Sequence, residues 1–286
     1  TQGMAMFLSA FFSGTLCGSA IGGILADRIG FRPIFFMGAG MGVLSMLFVW
    51  RFFGDQDDAA RQAAPGGPKR SVFVGLWTMM RNVRFLALTV FVAIPAKICL
   101  TGLMNYMAPL YLREHGETQS TIGRVLMSYG LIMILAAPLV GRLADRFKAR
   151  RAFVFIGAIL AGLGITGAFF EPSVWGVTAA VSLMGLAHAI GVSSAMALVP
   201  ELCEREIAHM GAASVLGIYR LIERTGSIVG PIIAGTLIAT YTFEKAFLGI
   251  GLITIVGIVL FGLTILFCRL ADRWRGTPPP QAEGAA

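Results

Sequence analysis

The chain has 286 residues, of which 56% are apolar and only 13% charged, about half the charged share of an ordinary soluble domain. Its apolar residues fall in runs of about 20, each able to cross a ~30 Å hydrocarbon core as a helix, which excludes a soluble globular fold and implies an all-α membrane protein. A net charge of +8 points to nucleic acid only where the cations form one patch; here they are spread through loops, so no nucleic-acid partner is expected.

Eight spans are predicted, over 4–26, 33–53, 83–112, 120–143, 151–170, 173–199, 212–240 and 245–268. Residues 54–70, GDQDDAARQAAPGGPKR, read as a flexible linker rich in charge, Ala, Gly and Pro. The stretch 71–82 mixes Phe, Trp and Met with Arg81 and reads as a short helix at the membrane surface. The polar, Pro-rich tail over 271–286 is expected to be disordered. Alternate loops hold fifteen Lys and Arg residues on one side against five on the other. The positive-inside rule then puts the linker and both chain ends in the cytoplasm. Thr1 leads almost directly into the first span, with no signal peptide, as expected of a fragment lacking an N-terminal part. The cysteines Cys17, Cys99, Cys203 and Cys268 are single, with no C-x-x-C spacing. They are expected to be buried spectators, neither metal ligands nor a disulfide framework.

Part of the first span recurs in the seventh. Residues 14–25, GTLCGSAIGGIL, lie 212 positions before part of 217–237, GIYRLIERTGSIVGPIIAGTL. At that offset Gly14 falls on Gly226, Gly18 on Gly230, Gly23 on Gly235, Phe31 on Phe243 and Phe35 on Phe247. Internal repeats of this kind are a mark of transporters. The glycines Gly14, Gly18, Gly22, Gly226, Gly230 and Gly235 are expected to let helices pack closely, with Pro231 adding a bend.

The loop after the fourth span reads GRLADRFKARR, 141–151. Gly141 permits close helix approach, Asp145 can accept from N–H groups at the start of the next helix, and Arg142, Arg146 and Arg150 can pair with it or with headgroups. With its G-x-L-A-D-R-x-x-x-R spacing, this loop resembles the cytoplasmic-loop motif of the major facilitator superfamily; Lys148 stands in place of the second glycine. The resemblance implies a twelve-helix secondary transporter in two halves, of which this chain carries helices five to twelve. Residues 1–53 would be the last two helices of the N-terminal half, 54–82 the linker with its surface helix, and 83–270 the C-terminal half. Helices five and eleven are equivalent in that family, as the repeat requires. The glycines of the first span also resemble the family's antiporter signature, although Ser19 replaces its proline. A rival register, in which GGILADRIGFRP (22–33) is the loop motif, is opposed by the loop charges and by the long linker that follows.

Charges also lie within the spans. Lys97, Arg220, Glu223 and Arg224 together would cost about 10 kcal/mol against lipid, so they must face protein or a water-filled cavity. Lys97, Tyr129, His188, Glu223 and Arg224 fall near the middle of four separate spans, the depth at which transporters hold solute and ions. Lys97, Asn105, Tyr129, His188, Arg220 and Arg224 are the candidate solute-binding residues, Glu223 the candidate proton-coupling residue, and Gly141, Arg142, Asp145, Arg146 and Arg150 the candidate gate. A fixed ion pair of Glu223 with Lys97 or Arg220 is the structural alternative. Pro95 and Gly102 predict a bend in the third span.

No enzymatic constellation, P-loop, cofactor site or metal-ligand spacing is present in the sequence. The expectation is a secondary transporter of the bacterial cytoplasmic membrane moving a small molecule, with proton-coupled efflux of an anionic or amphipathic solute as its specific form. Its partners would be the solute, the lipid bilayer, protons and the preceding helices of the same chain. A non-transporting sensor or anchor that keeps the fold is the competing class.

Overall fold

The computed structural model describes residues 2–53, 72–147, 150–170 and 173–274. The predicted linker over 54–70 and the tail from 275 onward lie outside the described residues. Every long element is a helix: α1 (Gln2–Ile29), α2 (Phe31–Phe53), α4 (Val83–Glu114), α5 (Gln119–Phe147), α6 (Arg150–Phe170), α7 (Val174–Leu202), α9 (Ala212–Thr240) and α10 (Phe243–Trp274). Two short helices, α3 (Val72–Met80) and α8 (Glu204–Met210), complete the order. Among the described residues seven helical stretches, one in each of α2, α4–α7, α9 and α10, are long and apolar enough to cross a membrane, against eight predicted; α1, predicted as the first span, is not among the seven. The spans begin and end within a few residues of the predicted limits, except that α10 runs on to Trp274 and takes up the start of the expected tail.

Local chemistry sets the turns. Gly30, between α1 and α2, and Gly116, between α4 and α5, have φ near +77° and +79°, where a Cβ is strained. Helix α4 starts on Asn82, whose side chain accepts from Phe85 N–H, and α7 on Ser173, which accepts from Gly176 N–H; both satisfy an N–H that has no partner within the helix. Asn82 also donates to Leu202 O (2.9 Å) and to Glu206 (3.0 Å), tying the start of α4 to the α7–α8 turn. Where the sequence predicted a bend bracketed by Pro95 and Gly102, α4 widens into two π turns, Thr89–Ala93 and Leu103–Met107. Each ends shortly before a proline, Pro95 or Pro109, which lacks the N–H that the preceding turn would use. A Cβ on Gly257 of α10 would run into the carbonyl of Phe91 and the ring of Pro95, so α10 seats directly on the first of these turns.

Helices α4–α7, α9 and α10 enclose two apolar cores. One is built on Leu103, Met107, Ile165, Val181, Phe247 and Ile250, the other on Phe85, Leu88, Val154, Leu198, Tyr219 and Phe261. The pairs α6–α7, α5–α7, α6–α10, α4–α9 and α1–α5 pack most extensively. One side of α3 packs on the bundle: Met79 is fully buried, and a Cβ on Gly75 would approach Ile218 of α9 and Met210 of α8 at 3.1 and 3.2 Å. Helix α2 is apolar and exposed along almost its whole length.

Candidate functional site

The boundary between the two cores falls at Lys97 on α4, His188 on α7, Glu223 on α9 and Thr254 on α10. In each helix the residues on one side of these positions belong to one core and those on the other side to the second. Glu223, His188 and Thr254 are buried there among apolar neighbours. A carboxylate in such a place must be paired. Glu223, with 7% of its side chain exposed, lies 3.1 Å from Lys97 Nζ and 3.5 Å from Arg220 Nη1. Arg220 reaches it from one turn earlier on the same helix, and its Nη2 lies 2.9 Å from Met196 Sδ on α7. The ion pair weighed from the sequence is therefore present, with both cations on one acid.

Beside the pair lies a chamber of about 40 Å³, walled by Lys97, Glu223, His188 and Tyr219 together with small apolar residues of α4, α6 and α7. That volume holds one or two waters and no larger solute. His188 Nδ1 lies 3.5 Å from the Tyr129 hydroxyl, with the rings edge-on at 5.9 Å. Close by, Ser182 donates to Ser128 at 3.0 Å, a further α5–α7 polar contact. The structure thus brings together Lys97, His188, Arg220 and Glu223, with Tyr129 joined through His188. Asn105, in the second π turn, and Arg224 are exposed and outside this cluster.

Small residues make this arrangement possible. A Cβ on Gly226 would lie 2.7 Å from both Ile94 O and Lys97 Cβ, and one on Gly230 would meet the Thr101 hydroxyl and Ile98 O. One on Gly235 would lie 3.2 Å from the Tyr106 hydroxyl. These glycines let α9 lie directly on α4 and bring Glu223 within reach of Lys97. Pro231 lies within a helix that continues from Ala212 to Thr240.

Gly14, Gly18 and Gly22, expected to act likewise, have none of the described residues within 4 Å of where a Cβ would stand. The seam between α1 and α5 instead uses Ser19 and Gly23: a Cβ on Gly23 would strike the Gln119 carbonyl, and one on Gly123 would lie 2.5 Å from Ser19 O. The reason is rotation, since one residue along a helix turns the side chain by about 100°. Gly141 likewise meets no neighbour within 4 Å among the described residues. Arg142 and Arg146 are exposed; the side chains of Asp145 and Arg150 lie outside the described residues. Cys99 and Cys203 are buried as expected, but Cys17 is exposed and Cys268 intermediate. Among the described residues no three His, Cys, Asp or Glu side chains could hold a metal.

One acid was not singled out from the sequence. Asp27, at the end of α1, accepts from Gln119 N–H (3.0 Å) and Ser120 N–H (2.6 Å) at the start of α5. The only signal of it was the L-A-D-R string of the rival motif, which says nothing about where the carboxylate goes.

Comparison with known proteins adds the family. The chain is 26% identical over 254 residues to the "Multidrug resistance protein MdtG" of Salmonella heidelberg (strain SL476), covering 87% of this chain and 59% of that protein. The proteins of the same name from Salmonella newport (strain SL254) and Salmonella agona (strain SL483) match at the same identity and coverage. The chain therefore spans 59% of the length of these curated relatives. The family model described as Major Facilitator Superfamily matches residues 1–118 and 98–285. Taken with an all-helical bundle whose paired charges lie between two apolar cores, that match establishes that the chain belongs to the major facilitator superfamily, a family of membrane transporters.

Proposed function

We propose that the protein is part of a secondary transporter that exports an amphipathic small molecule by alternating access, and that its solute carries an anionic group. The observation that carries the reading is the Lys97–Glu223–Arg220 cluster, set between two apolar cores and beside a water-sized chamber. Two cations share one acid, and Arg224 adds a third positive charge one residue on. An anionic solute group can take the place of the Glu223 carboxylate on Lys97 and Arg220. Glu223, released into the chamber that it shares with His188, is then the group placed to exchange a proton. Membership of the family supports the transporter class. Export, and the bacterial cytoplasmic membrane as its location, rest on the multidrug resistance relatives.

The seating of α9 on α4 would make the site respond to motion of the helices around it, and loop 141–151, with Arg142 and Arg146 exposed, would work at the cytoplasmic gate. The test is efflux of a labelled anionic amphipath by the full-length protein in everted vesicles. Lys97→Ala and Arg220→Ala are expected to lower transport at least tenfold, and Glu223→Gln to remove its dependence on a pH gradient. Unchanged efflux in both cation variants overturns the assignment of the site; pH-driven efflux in Glu223→Gln overturns the proton role alone.

A further inference from the structure

Asp27 and the first turn of α5 form a contact between two parts of the chain that alternating access requires to separate. The first four N–H groups of a helix have no partner within it. In α5 the Thr118 hydroxyl takes the N–H of Thr121 (3.2 Å). Asp27 takes two more, Gln119 with Oδ1 and Ser120 with Oδ2, so these two N–H groups have this partner only when α1 is docked. The carboxylate sits two residues from the end of its own helix, α1. There the helix dipole opposes a negative charge, while the start of α5 favours it. Undocking therefore costs at both ends: Asp27 returns to an unfavourable terminus, and α5 loses two N–H partners.

The backbones beneath this contact are as close as glycine allows. Gly23 faces the Gln119 carbonyl and Gly123 faces Ser19, with no room for a Cβ on either. Ser19, Gly23 and Asp27 follow at i, i+4 and i+8, one stripe along α1. The stripe packs the two helices and ends in the carboxylate cap.

We infer that Asp27 is a latch: its capping of α5 holds closed the end of the molecule that faces away from the cytoplasm, and the cap breaks each time that end opens. The inference rests on the alternating-access reading above and on the cytoplasmic side assigned by the loop charges, and it adds a residue that governs one of the two gates.

Asn105, exposed on α4 toward the same end, serves as reporter. In the full-length protein, on a background without other cysteines, Asn105→Cys is labelled by a membrane-impermeant maleimide added from outside. Asp27→Ala is expected to raise the labelling rate about fivefold, the population change set by a typical N-cap carboxylate. Gly123→Ala, which pushes the seam apart without touching the carboxylate, is expected to act in the same direction and carries the test if Asp27→Ala fails to accumulate. Labelling at the parent rate in correctly inserted Asp27→Ala and Gly123→Ala proteins overturns the latch. Efflux separates the two readings. Efflux that persists while labelling does not respond removes the latch and leaves the transporter; labelling that responds in a protein that moves no solute keeps the latch and removes the transport assignment.

Discussion

Replacing Lys97 and Glu223, singly and together, tests how the membrane interior tolerates the charge cluster. Glu223 has 7% of its side chain exposed, Lys97 23% and Arg220 43%. Breaking a fully buried pair costs about 3–5 kcal/mol, because one charge is left without a partner. Both cations here are partly exposed and can lean toward water, so the cost falls below that range, to about 2 kcal/mol for Glu223→Met. Lys97→Met leaves Glu223 with Arg220 at 3.5 Å, a longer and more exposed partner, and is also expected to cost about 2 kcal/mol. The double variant removes the acid together with the cation and fills the space with side chains of similar volume. Such exchanges are close to neutral or stabilising, so its cost is expected to stay below about 1 kcal/mol. At roughly 2–4 °C per kcal/mol, each single variant of the purified full-length protein should melt about 4–8 °C below the parent by intrinsic tryptophan fluorescence, and the double variant within a few degrees of it. A double variant whose loss equals the sum of the singles would show that the two side chains do not interact, and would refute the pairing on which the site is built.

Other outcomes follow from single contacts. Gly230→Val would drive a branched side chain into Thr101 and the Ile98 carbonyl; a loss of about 1–3 kcal/mol is expected from overpacking, read as a lower melting point. Asn82→Ala removes the cap on Phe85 and the donors to Leu202 and Glu206, and should destabilise by about 1–3 kcal/mol; an unchanged melting point would show that the tie between α4 and the α7–α8 turn carries no weight. The Cys203 thiol, just beyond the end of α7, is pushed up to about 12 by burial and by the nearby Glu206. With so little thiolate below pH 9, it should resist maleimide at pH 7–8 in the folded protein and react only after denaturation; rapid labelling at native pH would contradict its burial.

The spans were legible because length and hydropathy alone decide whether a segment can cross a bilayer, and their limits hold to within a few residues. The 212-residue repeat was legible too, and its two copies end in step: α2 begins at Phe31 and α10 at Phe243. The copies are used differently. In α9 Gly226 and Gly230 press against α4, whereas in α1 their counterparts Gly14 and Gly18 meet none of the described residues and the contact with α5 is made at Gly23. A pattern of small residues states that a helix can approach closely somewhere; which neighbour arrives, and on which face, is set by the rest of the bundle. The two π turns of α4 were only half foreseen, since a proline marks a disturbed turn without saying whether the helix bends or widens.

The sequence alone determined the class of the protein, the order of its helices and the common depth of Lys97, His188 and Glu223, because these follow from the cost of exposing polar groups to hydrocarbon. Which charge pairs with which could not be read from it. Arg220 and Arg224 both lie within one turn of Glu223, yet only Arg220 has a described pairing with it, while Lys97 reaches the acid from another helix. The same holds for Asp27, an unremarked acid at a helix end until α5 supplies two N–H groups. In both cases the partner is about a hundred residues away in sequence, and only the packing of one helix on another brings the two within the 3 Å at which a charge is neutralised.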